Sequence, residues 1–157
     1  MAPFGAGAWL GHAMNKKTLS SSAANPTSFT GAASRAKRGR ILLLEDDEDT
    51  RKVVRRLLLA RDFEVTDVGT VAAAWQSCAG QTFHLLVSDI GLPDGDGYRL
   101  MRELQDLHGM RGIALTGYGL EDDIALSREA GFAVHIVKPI QVRLLDEALD
   151  SLLPRLA

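Results

Sequence analysis

The chain has 157 residues, 46% apolar and 24% charged, which suits one globular domain of ordinary composition. No run of about 18 apolar residues occurs, so no membrane-spanning helix is expected, and the single Cys78 excludes an internal disulfide and a cysteine-based metal site. Residues 1–40 hold six Lys and Arg and no acid, whereas the remainder holds all 20 acids against 12 Lys and Arg, near −8, which argues against direct binding to nucleic-acid phosphates.

Residues 1–39 are rich in Gly, Ala and Ser and show no sustained period. They offer too little apolar surface to offset the entropy of ordering and read as a disordered leader or linker. Lys16 and Lys17 follow the apolar Ala8, Trp9 and Leu10, the reverse of a secretory signal. A basic, acid-free, Ser-rich segment also resembles an organellar transit peptide, and a basic contact patch is a third reading.

From Arg40 onward, strand and helix alternate. Ile41 to Leu44 is a short apolar run that stops at Glu45, Asp46, Asp47, Glu48 and Asp49. A helix is expected from about Thr50, with Asp49 or Thr50 as N-cap, Val53, Val54, Leu57 and Leu58 on its inner face, and Arg51, Lys52, Arg55 and Arg56 largely on the outer one. Phe63, Val65 and Asp67 mark a second strand, and Val71 to Cys78 reads as a helix in which Cys78 is a small buried residue. The third strand, Phe83 to Val87, opens at Ser88 and Asp89 into a loop punctuated by Gly91, Pro93, Gly95 and Gly97. Asp96 caps a helix with Tyr98, Leu100, Met101 and Leu104 inward, Gly112 to Thr116 is the fourth strand, and a helix starts near Glu121. Phe132 to Val137 is the fifth strand, and Val142, Leu145, Leu149, Leu152 and Leu153 define the last helix. Such alternation predicts an α/β fold: a doubly wound, five-stranded parallel sheet with helices on both faces.

In such a sheet the carboxyl ends of the strands share one edge. Glu45 and Asp46, Asp89, Thr116 and Lys138 each end a strand and can converge there. Three uncompensated carboxylates raise each other's pKa, and a hard divalent cation resolves the repulsion. Mg2+, Lys138 as a second positive charge and the Thr116 hydroxyl as a donor suit the formation of an aspartyl phosphate on Asp89.

The segments ILLLEDDEDTRKV, LLVSDIGLPDGDGYRLM, IALTGYG and HIVKP, in this order, resemble the receiver domain of two-component response regulators, over residues 40–157 in domain terms. The spacings of 43 from Asp46 to Asp89 and 22 from Thr116 to Lys138 match the family. The resemblance implies a flavodoxin-like fold with strand order 2-1-3-4-5. It also implies Asp89 as phosphoacceptor, and Glu45, Asp46, Asp89 and the Gly91 carbonyl as Mg2+ ligands. Thr116, Lys138 and His135 would bind phosphate or switch with it, the bond before Pro139 would be cis, and Gly91 and Tyr118 would tune dephosphorylation. The implied phosphoryl donor is a histidine kinase or a histidine phosphotransfer protein. A downstream protein partner would read a face made by the fourth helix, fifth strand and last helix, which is also the face for a homodimer. The wording is most similar to receivers of hybrid histidine kinases, the expected location is cytoplasmic, and catalysis would be confined to the domain's own phosphorylation and dephosphorylation. With the chain stopping at Ala157, output is expected through protein contacts or through a kinase of which this is a piece.

Several positions depart from the family pattern. His135 replaces a residue that is usually aromatic, and reads either as a rotating switch or as a half-buried structural side chain. The interval from Asp89 to Thr116 is about one helical turn short, placing a trimmed segment near Leu104 to Gly112. Asp62 stands where Gly commonly ends the first helix, a position Asp can fill in the left-handed conformation. His12, His84 and His108 have no partner spacing and read as structural or exposed. Two other functions compete: a receiver-like docking module independent of phosphorylation, and a metal-dependent phosphatase built on Asp47 and Asp49. The phosphatase lacks its general-acid context, and has Arg51 where a small or β-branched residue belongs.

Overall fold

A computed structural model describes residues 36–117 and 121–154. Its elements in chain order are β1 (Gly39–Leu44), α1 (Glu48–Leu59), β2 (Phe63–Val68), α2 (Val71–Gly80), β3 (Leu85–Asp89), β4 (Gly91–Leu92), β5 (Gly95–Asp96), α3 (Gly97–His108), β6 (Arg111–Thr116), α4 (Glu121–Glu129), β7 (Phe132–Val137) and α5 (Val142–Leu152). The main sheet has five parallel strands in the order β2-β1-β3-β6-β7. This is the expected order 2-1-3-4-5 once β4 and β5 are set aside; those two pair antiparallel in a small separate hairpin. The fold is therefore the flavodoxin-like α/β architecture.

Successive side chains of a strand point to opposite faces, and the central strands are apolar on both. Ile41 and Leu43 of β1, with Leu85 and Val87 of β3, pack against Val54 and Leu58 of α1 and Leu145, Leu149 and Leu152 of α5. Leu42, Leu44 and Leu86 face the other way, against Ala74 of α2 and Leu100, Met101 and Leu104 of α3. Burial of both faces leaves the strand ends as the places where polar side chains reach a surface.

Local boundaries differ in detail from the sequence reading. The N-cap of α1 is Asp47, whose Oδ1 accepts the Thr50 amide at 2.7 Å, not Asp49 or Thr50. Three cap-competent residues within four positions, Asp47, Asp49 and Thr50, leave the choice to the geometry of the preceding turn. Val53 is 55% exposed and does not belong to the inner face, which centres on Val54 and Leu58. Cys78 is half-buried, and burial pushes its thiol pKa up. Arg38 and Gly39, assigned to the leader, are part of the fold: Gly39 pairs with Phe63, and Arg38 stacks on the Phe63 ring and bonds Asp150 of α5 at 2.7 Å. Ala36 and Lys37 are exposed and carry no regular secondary structure, and residues 1–35 of the expected leader, His12 among them, lie outside the described residues.

Asp62 has φ 66°, the left-handed conformation anticipated for it. Gly109 ends α3 in the same region (φ 62°), its amide bonding the Gln105 carbonyl at 2.8 Å, and only Gly109 and Met110 separate α3 from β6. A residue with a side chain would be strained at this abrupt exit.

Candidate functional site

The site is built where β1, β3, β6 and β7 end. Leu44 is the last residue of β1, and Glu45 continues its line into the interior, fully buried, with its amide bonding Val68 O at 3.1 Å. The chain then turns outward, so that Asp46 is exposed and Asp47 caps α1. Hydrogen bonds from Thr50 hold the Asp47 carboxyl below its usual range, a capping role that agrees with a solvated helix start. Asp89 ends β3 and is 9% exposed, and Thr116 ends β6 and is buried.

One carboxylate oxygen from each of Glu45, Asp46 and Asp89 lies within 4.8 Å of the others. Lys138, just past β7, brings its Nζ to 2.7 Å from Glu45 Oε2 and 3.0 Å from Asp89 Oδ2. Its backbone amide donates to the Thr116 carbonyl at 2.7 Å, so the ends of β6 and β7 are tied together, and the Lys138–Pro139 peptide is cis. The second oxygen of Asp89, Oδ1, accepts the Ile90 amide at 2.6 Å, and Glu45 Oε1 accepts the Asp47 amide at 3.2 Å.

Electrostatically the cluster is unbalanced. Burial pushes the Glu45 carboxyl up, the Lys138 bond opposes this, and the neighbouring Asp89 charge adds to the rise. Burial pulls the Lys138 ammonium down, but its bonds to Glu45 and Asp89 outweigh that and leave its pKa raised. One ammonium among three carboxylates leaves excess negative charge on hard oxygen donors, the chemistry of a site for a small divalent cation.

The remaining candidates fall outside this cluster or at its edge. Gly91, two residues past Asp89, begins the β4–β5 hairpin, pairs with Asp96 and is exposed. His135 lies on β7, half-buried, with Nδ1 2.9 Å from Oγ of the fully buried Ser127 on α4. Its partner is thus a helix residue and not Glu45, Asp46, Asp89 or Lys138. Burial lowers the His135 pKa and the charge of Asp123 opposes this in part. Tyr118 lies outside the described residues. His84 is exposed, and its Nδ1 accepts the Arg40 amide at 3.0 Å.

Two contributors escaped the sequence reading. Asp94 accepts the Val71 and Ala72 amides at 2.9 and 3.1 Å, fastening the loop after β3 to the start of α2. Arg51, assigned to a solvated face, turns back and donates to the Glu45 carbonyl at 2.7 Å. Neither contact has a local sequence signal, because the partners of Asp94 lie 22 and 23 residues away and that of Arg51 is a main-chain oxygen.

The family model of the response regulator receiver domain matches residues 41–150. This chain belongs to that family. The receiver is 34% identical over 103 residues to the uncharacterised 14.6 kDa protein in the sodA1 3′ region of Leptolyngbya boryana, covering 64% of this chain and 79% of that one. It is 31% identical over 107 residues to the response regulator protein FleR of Pseudomonas aeruginosa, covering 68% of this chain and 23% of FleR. Identity to the aerobic respiration control protein ArcA of Escherichia coli is 31% over 115 residues, 73% of this chain and 48% of ArcA. The receiver thus spans half or less of those two regulators. Among solved structures, it is similar to a CheY-like receiver domain protein from Methanospirillum hungatei JF-1, with a TM-score of 0.67 and 30% identity, covering 74% of this chain and 92% of that one. The signal receiver domain of a signal transduction histidine kinase from Syntrophus aciditrophicus matches with a TM-score of 0.66 and 28% identity, covering 73% and 89%.

Proposed function

We propose that this receiver takes a phosphoryl group onto Asp89 from the phosphohistidine of a histidine kinase or histidine phosphotransfer protein, and that the modification alters a surface read by a partner protein. The observation that carries this reading is the meeting of three carboxylates and one ammonium at the carboxyl edge of the sheet, with Lys138 Nζ 3.0 Å from Asp89 Oδ2.

An Asp89 carboxylate oxygen attacks phosphorus, the bond from phosphorus to the donor imidazole nitrogen breaks, and an acyl phosphate forms. Lys138 contacts the oxygen Oδ2 in the present arrangement, so accepting the group requires that its ammonium shift from the carboxylate to the incoming phosphoryl oxygens. The Ile90 amide on Oδ1 holds the carboxylate plane during that exchange. Glu45, Asp46, Asp89 and the Gly91 carbonyl would hold Mg2+, which supplies charge neutralisation at the transferred group. Rigid strand ends give the alignment that phosphoryl transfer mainly needs. Water attack at phosphorus returns the carboxylate and inorganic phosphate, and Gly91 and Tyr118, two places past Asp89 and Thr116 in the sequence, tune this step. Turnover on other substrates is not part of this function.

Thr116, buried at the end of β6, donates to the phosphoryl group once it is present. Moving a two-state equilibrium from 1:99 to 99:1 takes about 5.5 kcal/mol of differential stabilisation. A charge-assisted hydrogen bond is worth about 1.5–3 kcal/mol, so the new Thr116 contact supplies part of that figure, and Lys138, which exchanges carboxylate for phosphoryl oxygens, adds only the difference between the two. The surface that responds is the face of α4, β7 and α5, where His135 is tied to Ser127 and where Leu126 and Val137 are 48% and 40% exposed. That face suits a downstream protein or a second copy of the receiver. Attachment to a hybrid histidine kinase fits the likeness to a kinase's signal receiver domain.

The test is incubation with acetyl phosphate, with and without Mg2+, followed by intact mass. An adduct of roughly 80 Da that requires Mg2+ is expected. No adduct from acetyl phosphate or from a phosphohistidine protein, despite measured Mg2+ binding, would favour a docking module that works without phosphorylation.

A further inference from the structure

The corner between β1 and α1 carries Glu45 and Asp46, and its geometry fixes where both carboxylates point. Strand pairing holds the Glu45 amide, which bonds Val68 O at 3.1 Å. The carbonyl side of the same residue is held by a guanidinium: Arg51 Nη1 donates to Glu45 O at 2.7 Å and lies 3.5 Å from Asp46 O. The other edge of that guanidinium, Nε, is 3.5 Å from Asp67 Oδ2 near the end of β2, and Asp67 Oδ1 is 2.9 Å from Arg55 Nε. A planar fork of fixed donors can lock two groups in one relative position, which a single ammonium cannot.

Gly69 completes the arrangement. A Cβ at this position would lie 2.9 Å from Arg51 Nη1 and 3.9 Å from Glu45 O, closer to the guanidinium than real Cβ atoms come. The backbone of Gly69 is not in the left-handed region, and the space its missing Cβ leaves is the space that Arg51 Nη1 occupies.

We infer that Arg51 is a positioning residue for the acidic pair, acting through the main chain of Glu45 and Asp46, and that Gly69 is the space which admits its guanidinium. The inference rests on the reading of Glu45, Asp46 and Asp89 as the Mg2+ site, and it makes a prediction whose sign separates position from charge. A nearby guanidinium repels a divalent cation, so by charge alone its removal tightens Mg2+ binding. As a brace, its removal loosens the carboxylates and weakens binding.

The experiment is an NMR titration of the apo receiver with Mg2+, on the parent and on Arg51→Ala, Gly69→Ala and Arg55→Ala, with urea unfolding of each. Loss of an outer support of a metal site costs about 10-fold in affinity at the low end, and that weakening is expected for Arg51→Ala. Gly69→Ala keeps the charge but displaces it, and weakens binding in the same direction. Arg55→Ala, which loses an Asp67 contact without touching Glu45, leaves affinity unchanged whatever it does to stability. Arg51→Gln replaces Arg51→Ala should the latter unfold. Unchanged or tighter Mg2+ binding in both the Arg51 and Gly69 variants, with the parent binding normally, overturns the brace alone. A parent that binds no Mg2+ overturns the metal-site reading and the brace with it.

Discussion

The two edges of the sheet handle charge in opposite ways. At the amino edge, three guanidinium groups have anionic or carbonyl partners on a neighbouring element: Arg38 bonds Asp150 of α5, Arg61 bonds Asp146 of α5 and the Leu57 carbonyl, and Arg111 bonds the Leu152 carbonyl. These contacts tie the starts of β1, β2 and β6 to the last helix. At the carboxyl edge, one ammonium faces three carboxylates, two of them buried or nearly so. A structural edge balances its charges locally. The other edge keeps an excess that a bound cation and a transferred anion would together absorb, and its burial makes the excess costly without them.

Perturbing the two edges should therefore give different kinds of result. The largest effect belongs to Lys138→Ala, which removes the ammonium 3.0 Å from Asp89 Oδ2: the rate of phosphorylation by acetyl phosphate at saturating Mg2+ is expected to fall about 100-fold or more. A mass time course on both proteins reads it, and equal rates would place the charge neutralisation elsewhere. Next is ligand stabilisation. Mg2+ at 100 times its dissociation constant raises the unfolding free energy of the parent by about 2.7 kcal/mol, most of which Asp46→Asn loses; urea titrations with and without the metal measure it.

Arg61→Ala probes the amino edge. Because Asp146 is 41% exposed, the pair is partly screened, and the variant loses about 1 kcal/mol in urea unfolding with no change in Mg2+ affinity. A change in affinity would mean that the edges are coupled.

The smallest effect is the pH response of His135. Burial lowers its folded pKa below the usual histidine value. As pH falls through about 6.5, the unfolded chain takes up a proton that the folded chain does not, so stability drops with pH in that window. Between about pH 7.5 and 5.5 the parent should lose more stability than His135→Phe, as read by urea midpoints. Parallel pH profiles would show that protonation of His135 is not linked to folding.

What was legible in the sequence follows from how local each signal is. The apolar runs of β1 and β3 are buried on both faces and end at acids, so strand, loop and Asp89 could all be placed from one stretch. Asp62 was readable because few residues tolerate the left-handed region, and it does lie there. Val53 was misplaced because a helical period gives the centre of an apolar stripe more reliably than its edge. Arg51 was misread because a basic residue on a charged helix usually faces water, and nothing in the local pattern announces a main-chain acceptor behind it. Ser127 went unnoticed as the partner of His135 because the pair joins a helix to a strand across a turn, and each residue alone suits an ordinary interior position. Tyr118, in residues 118–120, lies beyond what the structure describes.

The central claim is that the unbalanced edge exists to place a phosphoryl group on Asp89. Its most direct test is borohydride reduction of the receiver after acetyl phosphate and Mg2+ treatment, followed by peptide mapping of the parent and of Asp89→Asn. A reduced, homoserine-containing peptide is expected at position 89 in the parent and at no position in the variant. Reduction at another residue, or an unmodified Asp89 in a receiver shown to carry phosphate, would contradict it.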